Sequence, residues 1–142
     1  MTSMFSIAMA LGCFAVTADD NTSNLEGNWQ ATSATRNGKP ANDVVGHRLT
    51  FKTESFEIRS KGGSLLYAGK YTLKRDEWPA HIDFELAGQV NERTIWRGVY
   101  ERKDKRLKIC DNAPDTSKPR PESFEAPRDS GYILVVFERI DE

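Results

Sequence analysis

The chain holds two histidines, His47 and His81, and two cysteines, Cys13 and Cys110. These four residues bound the chemistry open to it. Zinc needs Cys, His or carboxylate donors at short, set spacings, and calcium needs a loop rich in oxygen ligands. No His-x-x-x-His, Cys-x-x-Cys or carboxylate-rich loop is present, so no metal or other cofactor is expected. His81 lies in "HIDFEL" with Asp83, and alternation puts both on an outer face as a solvated pair. His47 opens "HRLTFK" on the same face as Leu49 and Phe51. It can order a ligand, or serve as a rim histidine bonded to backbone. Cys110 and His47 would make a thiol–imidazole nucleophile if they met. Cys110 follows Ile109, however, and alternates away from the interior, where a thiol is an inert packing group. There is no Gly-x-Ser-x-Gly, and "GKP" lacks the glycine-rich loop and following Ser or Thr of a phosphate site. No acid–base pair stands out, so no catalytic residue is assigned and an enzyme is not expected.

Charge excludes further classes. The 142 residues carry 20 Lys and Arg against 21 Asp and Glu, a net charge of −1. A nucleic-acid binder normally shows a basic excess on one face. The apolar residues fall in short groups along the chain, enough for one modest core. Residues 1–18 contain no charged side chain, and "FSIAMALGCFAV" is an apolar run of signal-peptide length. Val16 and Ala18 suit cleavage after Ala18. The expectation is a signal peptide over 1–18 and one domain over 19–142, exported to a periplasmic or secreted location. A buried N-terminal element, or lipidation at Cys13 within "ALGC", are the alternatives. No apolar run reaches the ~18 residues that span a bilayer, so no integral membrane segment is expected after signal removal. Loss of the leader removes Cys13 and leaves Cys110 without an intramolecular disulfide partner.

The elements that must position any site read as short alternating segments divided by turn chemistry. Gly27–Thr35 places Trp29, Ala31 and Ser33 on one face. "RNGKPAND" is a turn, and "DVVG" a single helical turn capped by Asn42 or Asp43. "HRLTFK" and "SFEIRS" follow, with Phe56 and Ile58 inward, closed by "KGG". "SLLYAGKYTLK" sets Leu65, Tyr67, Gly69, Tyr71 and Leu73 on one face. "HIDFELAG" points Ile82, Phe84 and Leu86 inward, and "TIWRGVYE" points Trp96, Gly98 and Tyr100 inward. "RLKIC" and "YILVVFERI" complete eight strands. Parallel pairing needs long crossovers, and none is available. The predicted fold is therefore all-β, an eight-stranded antiparallel up-and-down barrel, with a two-sheet sandwich as runner-up.

Gly27-x-Trp29 at the start of this meander resembles the lipocalin signature, in which a Trp plugs one end of the barrel. In that pattern an Arg near the end of the last strand packs across the Trp, and Arg139 in "VVFERID" is the matching residue. More of the chain takes part. "LEGNWQATSATRNGKP", "VGHRLTF", "IRSKGG", "YAGKYTL", "IDF", "WRGVYE", "LKIC", "KPRPESF" and "ILVVFER" resemble, in this order, a lipocalin-like domain family of unknown function, multiplied in planctomycete genomes. The resemblance covers essentially all of residues 24–140. It implies an exported small barrel and supplies no substrate and no catalytic residue.

Two functional readings follow. In the first, the barrel is a non-catalytic binding module for a small apolar ligand, lined by Phe51, Tyr67, Tyr71, Phe84, Trp96 and Tyr100. In the second, the barrel is filled and inert, and the protein is an extracytoplasmic interaction or inhibitor domain. Its partner would then meet the proline-rich loop 111–130. Pro119, Pro121 and Pro127 pre-extend that loop. Phe124 is expected to anchor it over a barrel mouth, with Arg120 and Glu122 facing solvent.

Overall fold

The computed structural model describes residues 24–88 and 93–140. The leader, its cleavage point and Cys13 lie outside the described residues. Among the described residues nine strands form: β1 (Gly27–Arg36), β2 (Lys39–Pro40), β3 (Arg48–Phe51), β4 (Ser55–Arg59), β5 (Leu65–Lys74), β6 (Ala80–Leu86), β7 (Ile95–Lys103), β8 (Arg106–Asp111) and β9 (Ile133–Ile140). From β3 to β9 each strand pairs antiparallel with the next, and β1 pairs with both β3 and β9. The result is a closed eight-stranded up-and-down barrel of lipocalin-like layout, without helices among the described residues. Closure joins the first and last barrel strands and so removes the two long edges an open sheet would present. The ninth strand, β2, is two residues folded back on the end of β1 through the Asn37-Gly38 turn.

Most alternation runs as the sequence predicts, with local departures. Ala31 pairs with Phe137 and Ser33 with Val136, so Thr32 is an extra residue, a β-bulge. The bulge reverses the inward face of β1 beyond Ala31. Ala34 is buried and Ser33 is exposed, the opposite of the expected pattern. A second shift lies between Ile58 and Arg59, where Leu65 meets Arg59 and Tyr67 meets Ile58. Leu65 thus sits opposite an outward residue and is 52% exposed. Residues 42–46 form turns and not a helical turn, with Val44 N–H donating to Ala41 and His47 N–H to Val44.

One end of the barrel is sealed at Trp29, which has no exposed surface. Its indole N–H donates to the Leu25 carbonyl at 2.9 Å. Arg139 is its direct partner across the β1–β9 pairing. The guanidinium carbons of Arg102 and Arg139 lie 5.2 and 5.3 Å from the indole centroid. Arg102 also donates to the Asn24 carbonyl. The Gly-x-Trp spacing has a direct steric cause. Gly27 has φ 126°, and a Cβ there would stand 2.6 Å from Arg139 Nη2. Any side chain at 27 would displace the guanidinium from the indole.

The long connection from β8 to β9 borders the barrel interior only at its start, through Ala113 and Pro114, and then lies along the outer wall. Arg120, expected in solvent, instead reaches the wall and donates from Nη1 to Asp83 Oδ1 at 2.7 Å and to the Gly98 carbonyl at 2.9 Å. Asp83 is therefore engaged by Arg120. Asn112 donates to the Lys118 carbonyl, Tyr132 Oη to the Pro119 carbonyl, and Gly38 N–H to the Ala126 carbonyl. Phe124 is half-buried, and Lys108 Nζ lies 5.0 Å from its ring centroid. Lys108 lies on the outer face of β8, so the aromatic ring docks beside the wall and not over an opening. Glu122 is exposed, as expected.

Two outcomes follow from this architecture. Trp29→Ala should cost roughly 3–5 kcal/mol, the range for a large aromatic removed from a core. Urea denaturation checks it, and an unchanged midpoint would show that Trp29 does not seal the barrel. Arg120→Ala should free the loop, because Arg120 makes its main contacts to the wall. Tryptic cleavage after Arg128 should accelerate several-fold while the urea midpoint shifts little. Phe124→Ser should have the smaller effect on cleavage.

Candidate functional site

The barrel interior is graded from one end to the other. Next to Trp29 it is solid: Phe51, Phe56, Ile82, Tyr100 and Leu107 are all essentially without exposed surface. Toward the opposite end the side chains draw apart around a cavity of ≈ 390 Å³. That volume falls within the range of small-molecule sites. Leu49, Ile58, Phe84, Ile109, Val135 and Phe137 form its apolar wall. They are inward residues of β3, β4, β6, β8 and β9, placed there by period-two alternation.

The six aromatic residues singled out from sequence divide between these two regions. Five of them form one chain of ring contacts along the barrel axis. Tyr71 meets Phe51 at 4.7 Å and Phe51 meets Phe84 at 6.2 Å. Phe84 meets Trp96 at 6.1 Å and Trp96 meets Tyr67 at 4.9 Å. Tyr67, Phe84 and Trp96 line the cavity, whereas Phe51, Tyr71 and Tyr100 lie in the filled half. The Tyr71 hydroxyl donates to the Lys52 carbonyl at 2.7 Å, which turns it away from the cavity. Burial pushes the Tyr100 phenol up to about 12.

The mouth is polar on one side. Arg36 donates to both carboxylate oxygens of Asp43, at 3.1 and 3.0 Å, and both residues line the cavity. This bidentate contact raises the Arg36 pKa and lowers that of Asp43. The pair is solvent-exposed and screened, so it organises the rim more than it stabilises the fold. His47 lines the mouth too, its backbone held by Val44 and Ala31. His81 is on the outer face of β6, apart from the cavity. Cys110 is fully buried on the outward face of β8, beneath the loop, with Sγ 3.5 Å from the Glu125 carbonyl. Burial pushes its thiol up to about 12, which disfavours the nucleophilic thiolate. Among the described residues no cluster of His, Cys, Asp or Glu could hold a metal ion.

Asp111 is the residue that sequence reasoning missed. It was assigned to the loop, but it is the last residue of β8 and points inward in phase with Leu107 and Ile109. The same alternation, extended by one step, would have found it. Asp111 is 7% exposed and lines the cavity. Its Oδ1 accepts the Ala113 N–H at 2.9 Å, which fixes the carboxyl at the loop's start. Desolvation raises its pKa to about 7, with the Ala113 bond opposing. Gly98 stands directly across from it on β7. A Cβ on Gly98 would be 2.7 Å from the Asp111 Cβ, so the glycine makes room for the carboxyl.

No family model, curated protein or solved structure matches the chain. The site therefore has to be read from its own geometry: an apolar cavity, aromatic at its upper end, with one buried carboxyl in its wall.

The Asp111 shift fixes a pH dependence. Its folded-state pKa, about 7, is raised above the ordinary carboxylate value, so the folded state holds the proton more tightly. The associated stability is present at low pH and is lost as pH rises from about 4 through about 7, at about 1.4 kcal/mol per unit. Asp111→Asn keeps an acceptor for Ala113 N–H and does not ionise. Relative to wild type, it should gain stability across that window and level off above it. Urea midpoints at several pH values check this, and parallel curves would refute the shift.

Proposed function

We propose that the protein is an exported, non-catalytic binding module that holds a small apolar molecule in the upper half of its barrel. One observation carries this reading: the barrel is filled beside Trp29 and hollow at the other end. A barrel needed only as a scaffold gains stability from a filled core, because voids forfeit contacts. Access to the cavity is also apolar. Leu66 and Tyr67, 41% and 45% exposed, line it at the start of β5, with exposed Val45 in the neighbouring turn. Such a collar lowers the cost of passing an apolar molecule from water to the interior.

The alternative, a partner-binding domain working through loop 111–130, has less support. A loop that must adapt to a partner gains from being free. Here Arg120, Asn112 and Tyr132 engage it with the barrel or with itself.

A neutral, environment-sensitive dye such as N-phenylnaphthylamine tests the reading directly. It should bind the wild type with enhanced emission and quench Trp96. Ile58→Trp, which places an indole into the cavity from β4, should weaken that binding at least about tenfold while preserving the far-ultraviolet spectrum. Equal binding by both proteins would put the dye elsewhere and overturn the proposal. Native mass spectrometry of protein from its own host should also show a retained small molecule.

A further inference from the structure

Resting on the apolar-ligand reading, we infer that the cavity's ligand carries a protonated amine at the end that lies against Asp111. Three ionic side chains line the cavity, and two of them, Arg36 and Asp43, neutralise each other through paired hydrogen bonds. Asp111 is the ionic group left without a counter-charge. Its Oδ1 is engaged by Ala113 N–H, and among the described residues no donor reaches Oδ2. A buried carboxyl in an apolar wall is costly, and an Asn would accept the same backbone bond at less cost. What the carboxyl adds is the ability to meet a cation.

The surroundings of Asp111 suit an ammonium. Gly98 gives it space on β7, and Trp96 stands two residues from Gly98 on the same inner face. That places Trp96 diagonal to Asp111, about 7–8 Å away between backbones, within reach of a large ring. Trp96 and Tyr67 meet edge to face at 4.9 Å. An ammonium beside the carboxyl would thus find aromatic surface as well as a counter-ion. The aliphatic part of the ligand would extend toward Phe84 and Ile109. Burial raises the Asp111 pKa to about 7, and an adjacent ammonium favours the ionised form: any proton on the carboxyl is released to solvent, and the carboxylate accepts a charge-assisted hydrogen bond from the ammonium.

Three chain-matched probes separate this from the simpler reading: n-octylamine, n-octanol and octanoate, titrated calorimetrically at about pH 8. The amine should bind at least about tenfold more tightly than the alcohol, the equivalent of one hydrogen bond to a charged group. Octanoate should bind most weakly. Between about pH 6 and pH 8 the amine's advantage should grow as Asp111 ionises. Asp111→Asn should abolish both the advantage and its pH dependence. The other titratable groups around the carboxyl are Arg36, Asp43, His47 and Tyr67 at the cavity, and Cys110 beside it on β8. A pH dependence that survives in the Asn variant belongs to one of them and overturns the assignment. If the alcohol binds wild type as well as the amine does, or octanoate binds best, the amine inference fails and the apolar-ligand reading stands. If none of the three binds, both fall. The wild-type comparison decides even if the variant does not fold.

Discussion

An indole under two guanidiniums sets the terms for the rest of this barrel. A meander of eight strands has two free edges until its first and last strands meet, and here they meet where Trp29 stands opposite Arg139. The contact needs the missing side chain of Gly27 on one side and the reach of Arg102 from β7 on the other. Three distant parts of the chain therefore converge on one ring. The indole N–H is satisfied by Leu25, so the seal buries no unpaired donor. With that end fixed and dry, the other end can be left open without unravelling the sheet.

The graded interior follows from this anchoring. Close to the seal, large inward side chains meet at the barrel axis and fill it. Farther up, β1 presents only Ala31 and Ala34 inward, because the bulge at Thr32 changes which residues face the core. The cavity there is bounded by residues of β3 to β9 and by Arg36 at the end of β1, and the aromatic residues of β5, β6 and β7 do not close it. A carboxyl within that volume would be hard to explain as core filling. As part of the proposed recognition surface it would have a direct physical purpose.

Fold class, the number of barrel strands and their topology were legible in the sequence because period-two alternation and turn residues report them directly. Trp29 and Arg139 were expected as a pair because Gly27-x-Trp29 and "VVFERID" resemble the lipocalin pattern, in which such an Arg packs across the Trp. The cavity was only half legible. Alternation told which aromatics point inward, but not how high along the axis each one lies, so Phe51, Tyr71 and Tyr100 could not be distinguished from Tyr67, Phe84 and Trp96. Height depends on strand register, and register depends on bulges such as those at Thr32 and near Arg59, which leave little trace in composition. Asp111 was lost to a boundary: a charged residue after "KIC" reads as the end of a strand. Arg120 was misread for a similar reason, since a charged residue in a proline-rich loop reads as solvated until the acceptors of β6 and β7 are placed beside it.

The loop over β8 gives the molecule a built-in clock. Cys110 lies beneath it, out of contact with solvent, its sulfur against the Glu125 carbonyl. A thiol in that position is spared from mixed-disulfide exchange for as long as the loop stays down, even in an oxidising environment. Oxidation or alkylation requires the strap to lift, so modification of Cys110 reports exposure of the wall beneath that segment. Cys110 thus keeps a record of how far the outer wall is uncovered.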